Sequence, residues 1–329
     1  MASLAGKRVL VTGGAGFVGS HLVDLLAREG CESVTAVDNL VRGGRANLAE
    51  ALRRPGVVLV EGDIRDRELM AELVFGADIV FHQAALRITQ CAAEPEAAFE
   101  GMVRATFQLA QLCAEAETEK LIYASSASIY GAAEVFPTAE RHHGHADRTL
   151  YGAAKLFGEG VLRALGVPHV ALRYFNVYGP RMDIHGRYTE VLVRWMERID
   201  QGLPPVIFGG GGQTMDFIDV RDVARANLLA AKSEVSGEAF NIASGTETSL
   251  LQLASALAAA MERPRLEPQL EPARLVNPVE RRLADVGKAR RALGFSAGIG
   301  LAEGLRDLVA WWRAQKRAAP VAATLQAAP

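Results

Sequence analysis

Residues 12–19, TGGAGFVG, decide the fold. They follow a short β-branched run and lead into residues 20–26, where apolar side chains take up helical spacing. A strand, a glycine turn and a helix in this order predict a dinucleotide site. Gly13 permits the tight turn, Gly16 lets the backbone approach a pyrophosphate, and Gly19 lets the helix pack on the strand. A purely structural glycine turn is the alternative for the motif on its own.

The segments that follow favour the dinucleotide site. A second strand, residues 33–37, ends at Asp38, where an acid bonds the adenosine ribose and favours NAD over NADP. Arg42 lies close by in the sequence, which leaves some tolerance of NADP open. Further strands at 57–60 and 78–81, with a helix between them, continue a βαβ alternation. This alternation predicts an α/β fold built on a doubly wound parallel Rossmann sheet.

A fifth strand delivers polar side chains to the same edge of the predicted sheet. Residues 120–124 form an apolar run that ends at Ser125 and Ser126. Downstream, Tyr151 and Lys155 open a helical pattern and lie four residues apart, on one helix face. A neighbouring ammonium favours the ionised phenol, so this pair predicts a general base that works near neutral pH. Because Tyr-x-x-x-Lys is common by chance, the pair depends on the cofactor site upstream.

The pattern predicts three regions along the chain. Residues 1–178 are interpreted as an NAD-binding Rossmann domain that also carries the Ser/Tyr/Lys group, and its sixth strand is expected at 169–178. Residues 179–317 are expected to form mainly a smaller C-terminal substrate-binding lobe, with segments that return to the Rossmann domain. The Ala/Pro-rich residues 318–329, which follow a closing helix expected at 301–314, are predicted to be a disordered tail.

Composition narrows the class of protein. The 329 residues carry a net charge of −2 without a basic block, which argues against nucleic-acid binding. No apolar run reaches the roughly 20 residues of a membrane span. Cys31, Cys91 and Cys113 fit neither a disulfide framework nor a metal motif. The histidines of residues 141–145, RHHGH, are interpreted as a solvated loop, with a rim contact to substrate as the alternative. A cytoplasmic enzyme without a metal is expected.

Taken together, the motifs resemble the extended short-chain dehydrogenase/reductase family, in its NAD-dependent nucleotide-sugar epimerase/dehydratase branch, and are similar to those of UDP-hexose 4-epimerases. The resemblance covers residues 8–312 and rests on 12–19, 63–64 (DI), 82–85 (HQAA), 125–131 (SSASIYG), Tyr151 with Lys155, 173–181 (RYFNVYGPR), 216–220 (DFIDV) and 284–285 (AD).

The resemblance implies roles for individual residues. Ser126, Tyr151 and Lys155 are expected to be catalytic. NAD is expected to contact Gly13, Gly16, Phe17, Val18, Gly19, Asp38, Asn39, Asp63, Ile64, Gln83, Ala84, Ala85, Arg87, Ala124, Tyr151, Lys155 and Tyr174. The nucleotide-sugar substrate is expected to contact Ser126, Ser128, Asn176, Thr189, Val206, Phe208 and Arg282. A homodimer formed through helices that include 94–115 and 151–165 is expected as well.

The implied activity is 4-epimerisation through a transient 4-keto sugar, on a UDP-hexose, N-acetylhexosamine or hexuronate. Dehydratases of the branch carry an acid pair, and decarboxylases an acid, where this chain has Ala127 and Ser128. The absence of these acids favours epimerisation over dehydration or decarboxylation. A dehydratase or decarboxylase remains the second hypothesis. A non-catalytic NAD-binding regulator is the third, and the retained Tyr151 argues against it. The expected setting is the synthesis of polysaccharides or glycosylated metabolites.

Three positions depart from the family pattern, and one of them is Gly210, where the family usually has an acidic residue in a glycine loop. Met102 replaces an asparagine that usually supports the active-site backbone, and Met215 replaces an arginine that usually clamps the substrate phosphates. A methionine cannot make the bidentate phosphate contact of an arginine. The candidates for a substitute clamp are Arg181, Arg187, Arg274, Arg281 and Arg282. Leu283 is expected near the position of a gate residue that limits the size of the sugar.

Overall fold

The computed structural model describes residues 2–145, 147–184, 190–272 and 279–325, with side chains up to residue 318. Within these residues there are one large sheet and two small ones. The strands are β1 (Arg8–Thr12), β2 (Ser33–Asp38), β3 (Val57–Glu61), β4 (Ile79–His82), β5 (Lys120–Ser126), β6 (His169–Tyr174), β7 (Asn176–Tyr178), β8 (Val206–Phe208), β9 (Thr214–Asp219), β10 (Glu238–Ile242), β11 (Glu247–Ser249) and β12 (Gln269–Glu271).

The large sheet is parallel throughout and has the order β3-β2-β1-β4-β5-β6-β10. The order reverses between β1 and β4, which is the point at which doubly wound sheets open a crevice at the carboxyl ends of their strands. The predicted α/β Rossmann fold is therefore confirmed.

Helices cover both faces of this sheet. They are α1 (Phe17–Leu26), α2 (Arg67–Phe75), α3 (Ile88–Ala93), α4 (Pro95–Ala98), α5 (Ala105–Glu115), α6 (Leu150–Ala164), α7 (Val191–Asp200), α8 (Val220–Lys232), α9 (Leu250–Ala260), α10 (Gly287–Leu293) and α11 (Leu301–Leu325). Helices α1, α8 and α10 bury apolar side chains on one face, and α2, α5 and α6 do so on the other. None of these helices is long and apolar enough to cross a membrane.

A further apolar core belongs to the C-terminal part of the chain. Helices α7, α9 and α11 enclose it, and Trp195 and Trp312 are its largest buried side chains. The two tryptophans therefore serve packing, as their helical spacing indicates. Within the C-terminal part, the chain returns to the large sheet as strand β10. Helix α10 packs against that strand.

Three elements differ from the sequence prediction. The strand expected at 169–178 breaks at Phe175, because β6 pairs in the large sheet whereas β7 pairs with β9. The helix expected at 94–115 is interrupted by a π-helix, Phe99–Arg104. The closing helix continues to Leu325, past the predicted start of a disordered tail at 318, because alanine, a strong helix former, dominates the stretch.

Candidate active site

A cavity of about 710 Å³ opens at the carboxyl ends of the central strands. Its wall includes every residue that the sequence predicts to contact NAD, and it also includes the Ser126, Tyr151 and Lys155 side chains. Ser128, Asn176 and Arg282 line the same space. One continuous cavity therefore joins the predicted cofactor site to the predicted reacting group.

The glycine turn after β1 leaves room only for backbone. Gly13 has a φ of +65°, and a Cβ atom there would lie 2.7 Å from the backbone nitrogen of Ala84. A Cβ atom on Gly19 would lie 2.1 Å from the Gly13 carbonyl oxygen. Helix α1 begins directly after Gly16, and no side chain caps its first turn. The free N–H groups of this turn fit a pyrophosphate, because a helix N-terminus attracts anions.

Asp38 ends β2 at the edge of the cavity. Its carboxylate accepts hydrogen bonds from the backbone N–H of Ala15 at 3.0 Å and of Leu40 at 2.9 Å. Burial raises the pKa of Asp38, and these backbone donors act against that shift. Arg42, the residue that left binding of NADP possible from the sequence alone, pairs with Asp183 at 3.5 Å. The carboxylate fits a ribose diol, and the nearby guanidinium is held by another acid.

A second acid extends this end of the cavity beyond β3. Asp63 accepts two hydrogen bonds from the Arg65 guanidinium, at 2.9 and 2.8 Å, and one from Asn39 at 2.9 Å. The Arg65 contact is the main reason why the pKa of Asp63 lies far below its usual range. The residues after β1, β2 and β3 thus present backbone and fixed charges that fit an adenosine diphosphate, and the cavity fits NAD.

Helix α6 places Tyr151 and Lys155 opposite the end of β5. Its N-cap is Thr149, whose hydroxyl accepts a hydrogen bond from the Gly152 N–H at 3.0 Å. Lys155 donates to the Ala124 carbonyl at 2.6 Å, and its Nζ lies 5.8 Å from the centre of the Tyr151 ring. The Ser126 hydroxyl accepts from the Ser128 N–H at 3.1 Å. Three separate elements thus bring the predicted reacting side chains together.

The electrostatics of this group differ from the sequence-based expectation. Burial raises the pKa of Tyr151 to about 12, while its hydrogen bond with Ser126 and the nearby Arg282 charge act in the opposite direction. Burial also lowers the pKa of Lys155 to about 8. Desolvation therefore outweighs the stabilisation of the phenolate by an ammonium, and the phenol is protonated at neutral pH in this form.

Two neighbours of the reacting group have structural roles. His82 is buried between the hydroxyls of Thr12, at 2.7 Å, and Thr106, at 3.1 Å. Burial lowers its pKa to about 3, so the imidazole is neutral. Met102 lies in the π-helix and contacts Cys91 at 3.4 Å in a small apolar cluster beside Tyr151. The position at which the family pattern has an asparagine is thus dry and apolar.

The residues predicted to contact the substrate fall into three groups in the structure. Asn176 lines the cavity together with Ser126, Ser128 and Arg282. Val206 and Phe208 lie in β8, which pairs with β12, and neither is on the cavity wall. Thr189 falls outside the described residues. The structure also puts Arg282 rather than Leu283 on the wall.

The five arginines that are candidates for the phosphate clamp fall into three groups. Arg187 and Arg274 fall outside the described residues. Arg281 binds both oxygens of Glu247, at 2.7 and 2.9 Å, and lies off the wall. Arg181 and Arg282 line the cavity. Arg181 is held by Asp24 of α1 at 2.7 Å, yet its buried Nη1 atom has no hydrogen-bond partner within the part of the chain that the structure describes.

A polar network behind the site has no clear sequence signal. The Arg173 guanidinium of β6 donates to both oxygens of Glu159, on α6, at 2.9 and 2.7 Å. The same guanidinium donates to the Tyr130 hydroxyl at 2.9 Å, and Tyr130 donates to Asn241 of β10 at 2.7 Å. This network connects α6 to the sheet two turns beyond Tyr151. In the sequence, the network is indicated by a charged residue, Arg173, near the end of a mostly apolar strand.

Comparison with known proteins identifies the family. Residues 9–243 match the model of the NAD dependent epimerase/dehydratase family. The chain belongs to this family. The match spans the large sheet from β1 to β10, and it includes every strand end that contributes to the cavity.

Members of the family with similar sequences or structures are close in length to this chain. The UDP-glucose 4-epimerase of Mycolicibacterium smegmatis is 35% identical over 93% of this chain and 98% of its own. The Thermotoga maritima UDP-glucose 4-epimerase, solved with UDP-glucose, superposes with a TM-score of 0.86 at 34% identity, covering 94% of this chain and 99% of that one. The UDP-N-acetylglucosamine 4-epimerase of Methanobrevibacter ruminantium, solved with UDP-N-acetylmuramic acid, gives 0.88 at 31% identity, covering 96% and 100%.

Proposed function

We propose that the protein is an NAD-dependent nucleotide-sugar 4-epimerase, an isomerase that inverts C4 of a UDP-linked sugar. One observation carries the proposal. Ser126, Tyr151 and Lys155 meet in the cofactor cavity, while Ala127 and Ser128, beside them on the same turn, supply no acid. The similarity to 4-epimerases over nearly the full chain supports it.

In this reaction Tyr151 takes the proton of the sugar 4-hydroxyl, and Ser126 donates a hydrogen bond to the same oxygen. NAD, when bound, supplies the acceptor and then the donor of the C4 hydride. After the 4-keto sugar has rotated so that the opposite face of C4 can receive the hydride, Tyr151 returns the proton to the 4-oxygen. Because burial raises the pKa of Tyr151, the phenol needs the positive charge of Lys155 beside it to act as a base.

The turn after β5 explains the choice of epimerisation. Dehydration and decarboxylation need an acid or base that acts on the sugar beyond C4. Ala127 is apolar and buried, and Ser128 offers a hydroxyl, which is a poor acid at neutral pH. A 4-keto sugar formed here therefore meets no group that drives elimination, and return of the hydride is the open route.

The binding roles follow from position along the cavity. The glycine turn, Asp38 and Asp63 would hold the dinucleotide, and Lys155 would contact its nicotinamide ribose from the floor of the site. Asn176 would contact the substrate diphosphate. Roles for Val206 and Phe208 at the nucleobase, off the described wall, and for Thr189 rest on the family resemblance alone.

A homodimer is proposed through α5 and α6. These helices bury one face on the sheet and leave large apolar side chains on the other. Phe107 is 38% exposed, Leu156 43% and Phe157 41%. Exposed apolar side chains gathered on adjacent helices are typical of subunit contacts. Phe157→Glu should convert the dimer to a monomer in light scattering, and a monomeric wild type would contradict the assembly.

A reducing, cytoplasmic setting is proposed from the cysteines. Cys31, Cys91 and Cys113 are all free thiols, and two of them are buried. Burial raises the pKa of Cys91 to about 11 and that of Cys113 to about 12, so both stay protonated. Unpaired, unreactive thiols fit a compartment in which disulfides are rare. Localisation of a tagged full chain to an oxidising compartment would contradict this.

The decisive test is the product formed from nucleotide sugars. Purified protein with NAD is incubated with UDP-glucose, UDP-N-acetylglucosamine and UDP-glucuronate, and the products are read by NMR. Exchange between equatorial and axial hydroxyls at C4 is expected for at least one of them. Loss of water or carbon dioxide would instead show a dehydratase or decarboxylase, and no turnover of any sugar would favour a regulator.

Tyr151→Phe tests the proposed base. The variant should bind NAD as the wild type does and lose about 100- to 10,000-fold in kcat, the usual contribution of a positioned general base. Phe75→Tyr, an exposed change at the end of α2, is the control and should leave kcat unchanged. Undiminished turnover by the Tyr151 variant would remove the assigned base.

A further inference from the structure

One cation at the reacting end of the cavity has no ion-pair partner among the described residues. The Arg282 side chain lines the wall, and its Nε atom is buried without a hydrogen bond. Within the described residues its terminal nitrogens make no ion pair either. Its neighbour Arg281 behaves differently, because both of its contacts go to Glu247 on the outer side. Adjacent arginines thus face opposite ways, and one of them points its charge into the cavity.

The backbone around Arg282 fixes where that charge lies. Its N–H donates to the Thr214 carbonyl at 2.9 Å, and the next residue's carbonyl accepts from the Thr138 N–H at 2.7 Å. Ala284 then packs on Ala127 and Ile129, the turn that follows β5. The segment therefore lies across the turn that carries Ser126 and Ser128. This places the guanidinium at the sugar end of the cavity.

Arg282 and the proposed base line the same cavity, and their charges act on each other. The Arg282 charge acts to lower the pKa of Tyr151, and the phenol acts to raise that of Arg282. Burial is the larger influence on the arginine and lowers its pKa. Asp147 also interacts with it, but its Oδ1 atom accepts from Thr149 and it forms no ion pair with Arg282. An unpaired, partly desolvated charge is costly unless a ligand supplies its counter-ion.

The diphosphate has other cations available. Arg181 is anchored to α1 by Asp24, and one of its buried nitrogens meets no hydrogen-bond partner in the described ranges. Arg87 and Arg42 also line the cavity, but both already pair with Asp183, so Arg181 is the main alternative cation. Positive charge for phosphates is thus present away from Tyr151, which leaves the Arg282 charge for a different anion close to the reacting carbon.

We propose that Arg282 binds a carboxylate on the sugar, so that the substrate is a nucleotide-linked hexuronate. The inference rests on the proposed function, because it takes C4 to lie at Tyr151. The C6 carboxylate of a hexuronate is attached to C5, the ring neighbour of C4, so a cation beside Tyr151 is within reach of it. The Ser128 hydroxyl lines the same wall and has no hydrogen-bond partner among the described residues, which leaves it free to donate to the second oxygen.

The test compares UDP-glucuronate with UDP-glucose, which differ only in the group on C5. Binding is measured to the NAD-loaded full chain in a Tyr151→Phe background, so that turnover does not interfere. UDP-glucuronate should bind about 10- to 100-fold more tightly than UDP-glucose, as expected for charge-assisted hydrogen bonds. Equal dissociation constants would overturn the inference without any further variant.

Arg282→Gln should remove that preference and leave the affinity for UDP and UDP-glucose within about twofold. Arg282→Lys should keep part of it, since the charge remains but the bidentate geometry is lost. Arg281→Gln is the matched control, with the same change one residue away, and should change neither affinity. A loss shared equally by UDP, UDP-glucose and UDP-glucuronate would make Arg282 a phosphate ligand and overturn the inference.

Turnover separates this inference from the proposed function. If active protein epimerises UDP-glucose and UDP-glucuronate with equal kcat/KM and Arg282→Gln changes neither, the epimerase stands and the carboxylate site falls. If no sugar is epimerised at C4 while UDP-glucuronate keeps its Arg282-dependent binding, the carboxylate site stands and the epimerase falls. Release of carbon dioxide from UDP-glucuronate belongs to the second case.

Discussion

The two ends of the cavity are built in different ways. At the dinucleotide end the wall is mostly backbone and strand termini, including the glycine turn after β1 and Asp38 after β2. At the sugar end the wall is assembled from side chains on distant segments, such as Asn176 and Arg282. A backbone wall tolerates few sequences, because its shape excludes every side chain. A wall of side chains can change its ligand by one substitution.

This difference predicts where mutations are most damaging. Gly19→Ala should have the largest effect, because its Cβ atom would lie 2.1 Å from the Gly13 carbonyl, a backbone atom that cannot rotate away. The affinity for NAD should fall about 100-fold, since overpacking of this kind costs up to roughly 3 kcal/mol. Binding is measured by fluorescence titration of cofactor-free protein.

The control for this prediction is Gly44→Ala. A Cβ atom on Gly44 would meet no atom within 4 Å, and its backbone is extended. NAD affinity should therefore stay within about twofold. If Gly19→Ala bound NAD as tightly as Gly44→Ala, the close contact that defines the backbone wall would be wrong.

The same difference explains what the sequence could predict. The cofactor residues follow one strand each, so a local motif and a strand end are enough to place them, and every one lines the cavity. The substrate residues depend on how the C-terminal segments pair. Arg281 and Arg282 are indistinguishable in the sequence, and only the pairing of the first with Glu247 separates them.

Two local features could not be predicted from the sequence, for a related reason. The break between β6 and β7 at Phe175 depends on which sheet each half joins, and each half carries a valine and a tyrosine that suit a strand in either sheet. The pKa of Tyr151 depends on burial from several elements at once, whereas the Tyr151–Lys155 spacing reports one neighbour. Tertiary packing decides both.

Asp38→Ala should have the second-largest effect. Removing a carboxylate from the ribose diol is expected to weaken NAD about 10- to 50-fold, the range of hydrogen bonds to a charged group. NADP should not gain affinity, because Arg42 stays paired with Asp183. Titrations with both cofactors check this, and Asp38→Asn, which keeps one acceptor, should lose less. A variant that prefers NADP would contradict the assignment of Arg42.

Lys155 lies where the two ends of the cavity meet, and its contribution to the stability of the fold should depend on pH. Its folded pKa, about 8, lies below the unfolded value near 10.5. Below pH 8 both states hold the proton, so the cost of burying the charge is constant. Between pH 8 and 10.5 the folded protein releases the proton first, and wild-type stability should rise relative to Lys155→Met by about 1 kcal/mol per pH unit.

Thermal unfolding of cofactor-free wild type and Lys155→Met between pH 7 and 10 measures this difference. Lys316→Met, which changes an exposed lysine on α11, is the control and should show no such trend. A difference between wild type and Lys155→Met that is flat across this range would mean that Lys155 is not desolvated at the junction of the two ends.

Met215→Arg should have the smallest effect and acts on the sugar end alone. Met215 and Phe217 are two residues apart on β9 and so share a face, and Phe217 lines the cavity while Met215 lies just beyond the wall. A longer, charged side chain there should reach the diphosphate and tighten UDP about three- to fivefold, the effect of a solvent-screened ion pair. Met215→Gln, without the charge, should leave UDP binding unchanged. Because the new cation would act on phosphate, it should raise the affinity for UDP-glucose and for UDP-glucuronate equally, whereas Arg282 should favour UDP-glucuronate. A gain in affinity for only one of the two sugars would show that positions 215 and 282 share a subsite.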